Sequence, residues 1–397
     1  MSEKVKAKEN AGGISKILYL NPTSKMSGAE FSLLALLEKI DQRRFRPILL
    51  LPEEGPFSEK ARTCGIETLI LPSMIRFEEG YHVDRIPKIV RSLFQIRKII
   101  RSKGIRLVHS NTPRTAYLGG MAARISSVPA LTHVRDIHFS PFSRPLKAKL
   151  LSYLSDVIVT VSSATKDSIV EVTPSLKSKI RVVYNGVNIE RLDRLPRKNI
   201  RQELGIEDDV PVIGSVGLLH PVKGHDVLIR AASLLKRSFP SLRVLIVGEA
   251  WFSRDESYRK KLERLAKDQN LENSVILTGF RDDVFDLMRA MDVLVHPAVY
   301  PDPLPRTLLE GCALRKAIVA TNVGGVPEIV DHDLSGLLIE PSDPEIMASA
   351  IGSLLRDKKK AAWLASEARR KAERFFSIEQ HVENIMAIYE GMLGSGG

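Results

Sequence analysis

Residues 292–328 read Asp-Val-Leu-Val-His-Pro-Ala-Val-Tyr-Pro-Asp-Pro-Leu-Pro-Arg-Thr-Leu-Leu-Glu-Gly-Cys-Ala-Leu-Arg-Lys-Ala-Ile-Val-Ala-Thr-Asn-Val-Gly-Gly-Val-Pro-Glu. The apolar run 292–296 reads as a strand, the Pro-rich 297–305 as a loop and 306–314 as a helix. A second strand spans 317–321, followed by a Gly-Gly turn and a helix start at Pro327-Glu328. Two helix N-termini thus open at the carboxyl ends of two apolar strands. In a parallel α/β sheet ligands sit at that edge, and helix N-termini there favour anions. Asp302 stands in the loop and Glu310 just inside the helix. A charged residue within an otherwise apolar helix needs a polar partner.

Outward from this stretch, strand and helix patterns alternate along the chain. In the second half the strands are 210–216, 242–247, 275–277 and 335–339, with helices at 224–237, 255–268 and 283–290. In the first half strands fall at 16–21, 47–52, 67–71, 106–110, 131–134, 157–162 and 181–184. Short β-branched runs separated by helical stretches predict parallel sheets of βαβ units. Residues 1–14 read as a disordered tail. Asn185-Gly186-Val187-Asn188 and the proline-containing stretch to Arg197 read as a hinge. The expected division is therefore a first Rossmann-like domain over 15–190 and a second over 191–376. Two helices fill 343–373, and a last amphipathic helix spans 377–393.

At 397 residues, 44% hydrophobic and 27% charged, the chain has the composition of a soluble two-domain protein. Its two cysteines, Cys64 and Cys312, lie far apart, which fits a reducing compartment without disulfides. The polar amino terminus has no apolar segment of a secretory signal, so the expected location is cytoplasmic. The loop after the first strand, Asn21 to Glu30, contains no G-x-G-x-x-G, which counts against a dinucleotide-dependent dehydrogenase.

The net charge of +12 is uneven. Lys and Arg outnumber Asp and Glu by 30 to 17 over residues 1–190, against 29 to 30 beyond them. Lys88, Arg91, Arg97, Lys98, Arg101 and Lys103 share one helical stretch with Ile86, Val90, Phe94 and other apolar residues, with no acid among them. A basic amphipathic helix reads as a surface for an anionic membrane, with Arg144, Lys147 and Lys149 adding to it. An ordinary sheet-covering helix with a solvated basic face is the alternative. No aromatic platforms interleave with the charge, so nucleic acid is not an expected partner.

The ordered string Asp302, Glu310, Gly324-Gly325-Val-Pro-Glu resembles the donor-site signature of retaining GT-B glycosyltransferases of family 4. The resemblance covers almost the whole chain and is strongest over 210–340. It implies two Rossmann-like domains facing across a cleft, with the last helix crossing back to the first domain. It also implies transfer of a sugar from a UDP- or GDP-linked donor to a lipid-linked or cell-surface glycan, at the inner membrane face. Lys223, in Gly217-Leu-Leu-His-Pro-Val-Lys223-Gly224, matches the family's phosphate-binding lysine. Leu218 stands where the family has an arginine, so Arg306, at the start of the donor helix, is the expected substitute, ahead of Arg281. Asp302 matches the acid facing the reacting centre, one methylene shorter than the usual glutamate, and Glu310 the acid that binds ribose. Gly28 matches the cleft glycine before the first helix, with Ser27 in place of a second glycine. Pro305 replaces a frequent glycine. Gly324 and Gly325 permit close backbone approach to a ligand.

His133, at the end of a first-domain strand, matches the family's histidine near the donor sugar. Asn111 and Asp136 are further candidates beside it. Backbone N–H groups with Lys and Arg suffice to hold a diphosphate, so no metal or other cofactor is expected. Asp331-His-Asp333 has the letters of a metal-binding D-x-D but the context of a turn. Two rival activities fit parts of this reading: a nucleotide-sugar epimerase, and a binding protein that keeps the fold without turnover.

Overall fold

A computed structural model of the chain describes residues 13–74, 85–137, 145–250 and 256–394. Residues 1–12 of the expected tail lie outside the described residues. The chain separates into two compact units. One runs to Gly186 and includes the segment from Ile378 onward; the other is Val187–Ser377.

In the first unit the elements are β1 (Ser15–Leu20), α1 (Gly28–Lys39), β2 (Phe45–Leu51), α2 (Pro56–Thr63), β3 (Glu67–Ile70) and α3 (Ile86–Lys103). They continue as β4 (Ile105–Ser110), α4 (Pro113–Arg124), β5 (Ala130–Val134), α5 (Pro145–Leu154), β6 (Val157–Thr160), α6 (Ser163–Val172) and β7 (Ile180–Val182). The seven strands form one parallel sheet in the order β3-β2-β1-β4-β5-β6-β7. The two-residue period of a strand explains why it is buried on both sides. In β1, Ile17 and Tyr19 enter one core cluster, while Leu18 and Leu20 enter the cluster on the opposite face.

The second unit contains α7 (Ile189–Arg194), α8 (Ile200–Glu203), β8 (Val212–Val216), α9 (His225–Leu235), β9 (Arg243–Val247), α10 (Glu256–Asp268), β10 (Val275–Gly279) and α11 (Val284–Ala290). There follow β11 (Val293–His296), α12 (Arg306–Ala313), β12 (Ala317–Thr321), α13 (Val326–Ile329), β13 (Leu337–Ile339), α14 (Pro344–Arg356) and α15 (Lys358–Phe375). Its six strands are parallel in the order β10-β9-β8-β11-β12-β13.

The last helix, α16 (Ile378–Gly394), belongs to the first unit. Its Ile378, Val382, Ile385, Met386 and Tyr389 join the core cluster of Ile17 and Tyr19. The Tyr389 and Tyr19 hydroxyls bond at 2.8 Å, and Tyr389 also meets His109 Nδ1 at 2.6 Å. The segment read as a hinge contains the boundary between the units, at Gly186–Val187, and a short helix as well. Asn188 is its N-cap, its side-chain oxygen accepting from the Arg191 N–H at 2.9 Å, and α7 ends before Pro196. A cap residue followed by an apolar spacing was enough to build one and a half turns there.

Candidate functional site

In the second unit the loops after β8, β11 and β12 meet at the carboxyl edge of the sheet. The β8 loop closes with a 3-10 turn, Pro221–Lys223, and Gly224 at φ +66°. A Cβ on Gly224 would lie 1.9 Å from the Pro297 carbonyl oxygen, so only glycine fits. Val299 N–H bonds the Val222 carbonyl at 3.0 Å and ties this loop to the one after β11. These contacts bring Lys223 Nζ to 2.5 Å from Asp302 Oδ2. His296 Nε2, from the end of β11, lies 3.7 Å from the same oxygen.

Burial pushes the Asp302 carboxyl up, yet Lys223 and His296 outweigh it and hold it below the usual carboxylate range. Burial drives His296 down to about 4, and likewise His225, whose Nε2–H donates to the Leu218 carbonyl at 3.2 Å. Both imidazoles are therefore neutral near pH 7. The pair Gly324-Gly325 seats the backbone of Asp302. Gly325 N–H donates to the Asp302 carbonyl at 2.8 Å, and a Cβ on Gly324, at φ +55°, would stand 2.3 Å from that oxygen.

Eight residues beyond Asp302, α12 carries the second acid. Glu310 is buried, and Arg306, one turn earlier, donates through Nε to its Oε1 at 2.7 Å. Burial raises the Glu310 pKa, and Arg306 offsets that only in part. Arg281, the other cation considered, is bonded to Asp283 at 2.7 Å and to Glu203 at 2.8 Å. Asp331 pairs with Lys371 and Asp333 with Lys360, each at 2.9 Å, so both carboxylates of the D-x-D are occupied by lysines.

In the first unit, Gly28 opens α1 behind the extended N-cap Ser27 and is exposed, with nothing within 4 Å of a Cβ built on it. A buried polar chain starts at this helix end. Ser27 and Asn21 donate to the Glu30 carboxylate, the latter at 3.0 Å. Asn111 donates to Asn21 at 2.8 Å, and Arg135 Nε donates to Asn111 at 3.1 Å. Arg135 also donates to Asn185 at 2.6 Å and to His133 Nδ1 at 3.2 Å.

Because Arg135 always donates, His133 Nδ1 accepts, and the neutral ring carries its proton on Nε2. That Nε2–H has no hydrogen-bond partner among the described residues. The ring is fully buried between those of His109 and His381, with centroids 5.7 and 6.4 Å away. Burial, then Arg135, holds its pKa well below the ordinary histidine value. His133 is thus a neutral donor rather than an acid or base. Asp136 is exposed.

Within the second unit the structure joins Lys223 to Asp302 and Arg306 to Glu310, with Gly324 and Gly325 beneath Asp302. Within the first it joins Asn111 to His133 through Arg135. Sequence reading passed over Arg135, Glu30, His225 and His296. The available signal was position: Arg135 directly follows a strand's carboxyl end, and His296 is the one polar residue closing an aliphatic strand.

Two family models match the chain: Glycosyltransferase Family 4 over residues 26–191 and Glycosyl transferases group 1 over residues 196–371. Among curated proteins, the UDP-Gal:alpha-D-GlcNAc-diphosphoundecaprenol alpha-1,3-galactosyltransferase of Escherichia coli is 24% identical over 95% of this chain and 97% of its own length. The D-inositol 3-phosphate glycosyltransferase of Corynebacterium urealyticum is 31% identical over 64% of this chain and 61% of its own. Among solved structures, Anabaena Alr3699/HepE in complex with UDP-glucose superposes with a TM-score of 0.82, at 26% identity, covering 95% of this chain and 99% of that one.

Proposed function

We propose that this chain, a glycosyltransferase whose halves belong to glycosyltransferase family 4 and to the glycosyl transferases group 1, moves a hexosyl group from UDP to a lipid-linked glycan with retention and without a metal. The observation that carries the reading is the convergence of Lys223, Asp302 and the Arg306–Glu310 pair on loops at one sheet edge. A nucleoside diphosphate placed there meets an ammonium group and the opening of α12. Glu310, a buried carboxyl at the same edge, is the acceptor for ribose hydroxyls. The UDP-sugar named for the E. coli galactosyltransferase and bound to the Anabaena protein supports uridine as the base.

In the proposed reaction the bond from the sugar C1 to the diphosphate oxygen breaks, and a bond from C1 to an acceptor hydroxyl forms on the same face. The hydroxyl proton passes to the leaving phosphate oxygen, and Lys223 stabilises the charge developing on the diphosphate. Metal independence is supported by Lys223 and the opening of α12, which offer the diphosphate a cation, once Asp302 gives it up, and helix N–H groups.

The membrane partner rests on α3. Ile96 and Ile100 of that helix are buried, whereas Ile86, Val90 and Phe94 are 51%, 44% and 59% exposed at four-residue spacing. Arg91, Lys98 and Arg101 are exposed on the same helix. On the neighbouring helices, Met121 and Ile125 of α4 and Leu150 and Tyr153 of α5 are exposed as well. An apolar stripe among cations fits an anionic leaflet, where a lipid-linked acceptor resides. Arg144 and the side chain of Lys147 lie outside the described residues.

The test is calorimetric titration with UDP and GDP in chelator, beside Glu310→Ala, followed by anomeric analysis of product. UDP binding that the variant loses, with retained configuration, is the expected result. Neither nucleotide binding to folded protein would remove the donor site, and binding without turnover would favour the silent-protein reading.

A further inference from the structure

At the amino-terminal edge of the second unit's sheet, opposite the edge just described, lies a pocket of about 470 Å³. The segment joining α7 to α8 forms one wall, and the carboxyl ends of α11 and α12 the other. Its floor is apolar, from Leu192, Ile200, Ala290 and Ala313. Cations dominate the rest.

Most of the charge there is already balanced. Asp193 takes two bonds from Arg369, at 2.9 and 2.7 Å, and Asp286 pairs with Arg289 at 2.7 Å. Arg201 pairs with Asp292 at 2.9 Å, and Lys198 with Asp283 at 3.4 Å. Three lining cations form no direct ion pair among the described residues: Arg197, Arg315, which feels Asp193 only at longer range, and Lys316, which feels Asp292 in the same way. Helix carbonyl ends attract cations, and that accounts for Lys316, whose Nζ donates to the Arg289 carbonyl at 3.1 Å. It does not account for Arg197 or Arg315, neither of whose side chains has a hydrogen bond among the described residues.

Arg315 carries a second signal. Its N–H closes on the Cys312 carbonyl at 3.1 Å and that of Lys316 on Gly311 at 2.9 Å, the capping pattern that ends α12. Arg315 itself is left-handed, φ +53°, at a position where glycine is the usual occupant. The other non-glycine residues described in this conformation are Ser127, Asn270, Asp333 and Ser342, all short and polar. A long cation held there is conformationally costly, and its side chain lines the pocket.

We propose that this pocket binds a compact phosphate-bearing anion through Arg197, Arg315 and Lys316. Burial draws the Lys316 ammonium down to about 8, so a bound anion would hold it charged. The pocket volume falls in the range of small-molecule sites, and a planar guanidinium can donate to two oxygens of one phosphate. The site stands apart from the transfer chemistry and does not depend on it.

The probe is inorganic pyrophosphate, titrated into the full chain with and without saturating UDP. The informative variant is Arg315→Gly, which keeps the capping geometry and relieves the left-handed arginine, so folding is preserved or improved. Expected is binding that persists in UDP and weakens about tenfold or more in Arg315→Gly and in Arg197→Ala, with no loss of thermal stability. Vesicles of phosphatidylglycerol separate the two sources of phosphate. Pelleting that falls in Arg315→Gly assigns the site to a headgroup, and pelleting that does not assigns it to a soluble anion. Absence of pyrophosphate binding, or affinity unchanged in both variants, overturns the proposal.

Discussion

Lys223 Nζ lies 2.5 Å from Asp302 Oδ2, so two residues read separately as a phosphate ligand and a reaction-zone acid neutralise each other. Asp302 is held ionised by this contact. In the proposed donor site, an arriving diphosphate would compete with Asp302 for one ammonium group. The pair would then act as a latch: binding of the leaving group would release a carboxylate toward the sugar.

The latch predicts opposite outcomes at its two ends. Asp302→Asn keeps the shape and frees Lys223, so UDP binding holds or tightens while transfer falls. Lys223→Ala removes the cation, weakening UDP by about tenfold or more. It also leaves Asp302 buried without its main partner, at a cost of about 3 kcal/mol. Calorimetry and urea unfolding of the two variants check this. Equal losses of UDP affinity in both would show that Asp302 does not compete for Lys223.

The glycines divide by what surrounds them. Gly224→Ala and Gly324→Ala each combine a positive φ with a Cβ inside 2.4 Å of a backbone oxygen, so they should destabilise the second unit by roughly 3 kcal/mol or more. Gly28→Ala meets nothing within 4 Å and should leave the melting temperature within a degree or two. A fall in activity in Gly28→Ala at unchanged stability would therefore report contact with a ligand. Unchanged activity would make Gly28 an ordinary helix start.

The elements were legible because hydrophobic period and turn residues carry them. β1 alternates Ile17 and Tyr19 with Leu18 and Leu20 to opposite cores, and the Gly-Gly-Val-Pro turn announces α13. Side-chain pairing was not legible. Nothing in the spacing from 223 to 302 indicates that Gly224 lets one loop pack on Pro297 and so delivers Lys223 to Asp302. The Arg306–Glu310 bond did lie within reach, being an i,i+4 pair on a helix. Arg135 escaped because its partners, Asn111, Asn185 and His133, come from separate strands and loops that only the sheet order brings together.

The exposed stripe on α3 predicts the membrane contact to be apolar as well as charged. Phe94→Glu removes the most exposed of the three apolar side chains and adds an anion, on a surface where substitution leaves folding within about 0.5 kcal/mol. Co-sedimentation with phosphatidylglycerol vesicles should fall about tenfold. Binding as strong as that of the unsubstituted chain would place any membrane contact elsewhere.

Acid should unfold the second unit before carboxylates protonate. His225 and His296 titrate near 4 in the fold, against about 6.5 in an unfolded chain. Their folded values are depressed, so their contribution is whole above pH 6.5. Below that the unfolded chain takes up protons the folded one refuses, and stability is lost until about pH 4, where both states are protonated. Each imidazole carries about 3 kcal/mol across this window, and the two together less than twice that, since each disfavours the other's charge. Trp363 lies on α15 of this unit, so its fluorescence follows it. The urea midpoint it reports should drop steadily from pH 6.5 to 4, and the slope should ease by up to about 1.4 kcal/mol per pH unit in His225→Gln. A midpoint flat over that range would mean that neither histidine is held neutral, and that the Lys223–Asp302 pair sits in a wetter site than its burial indicates.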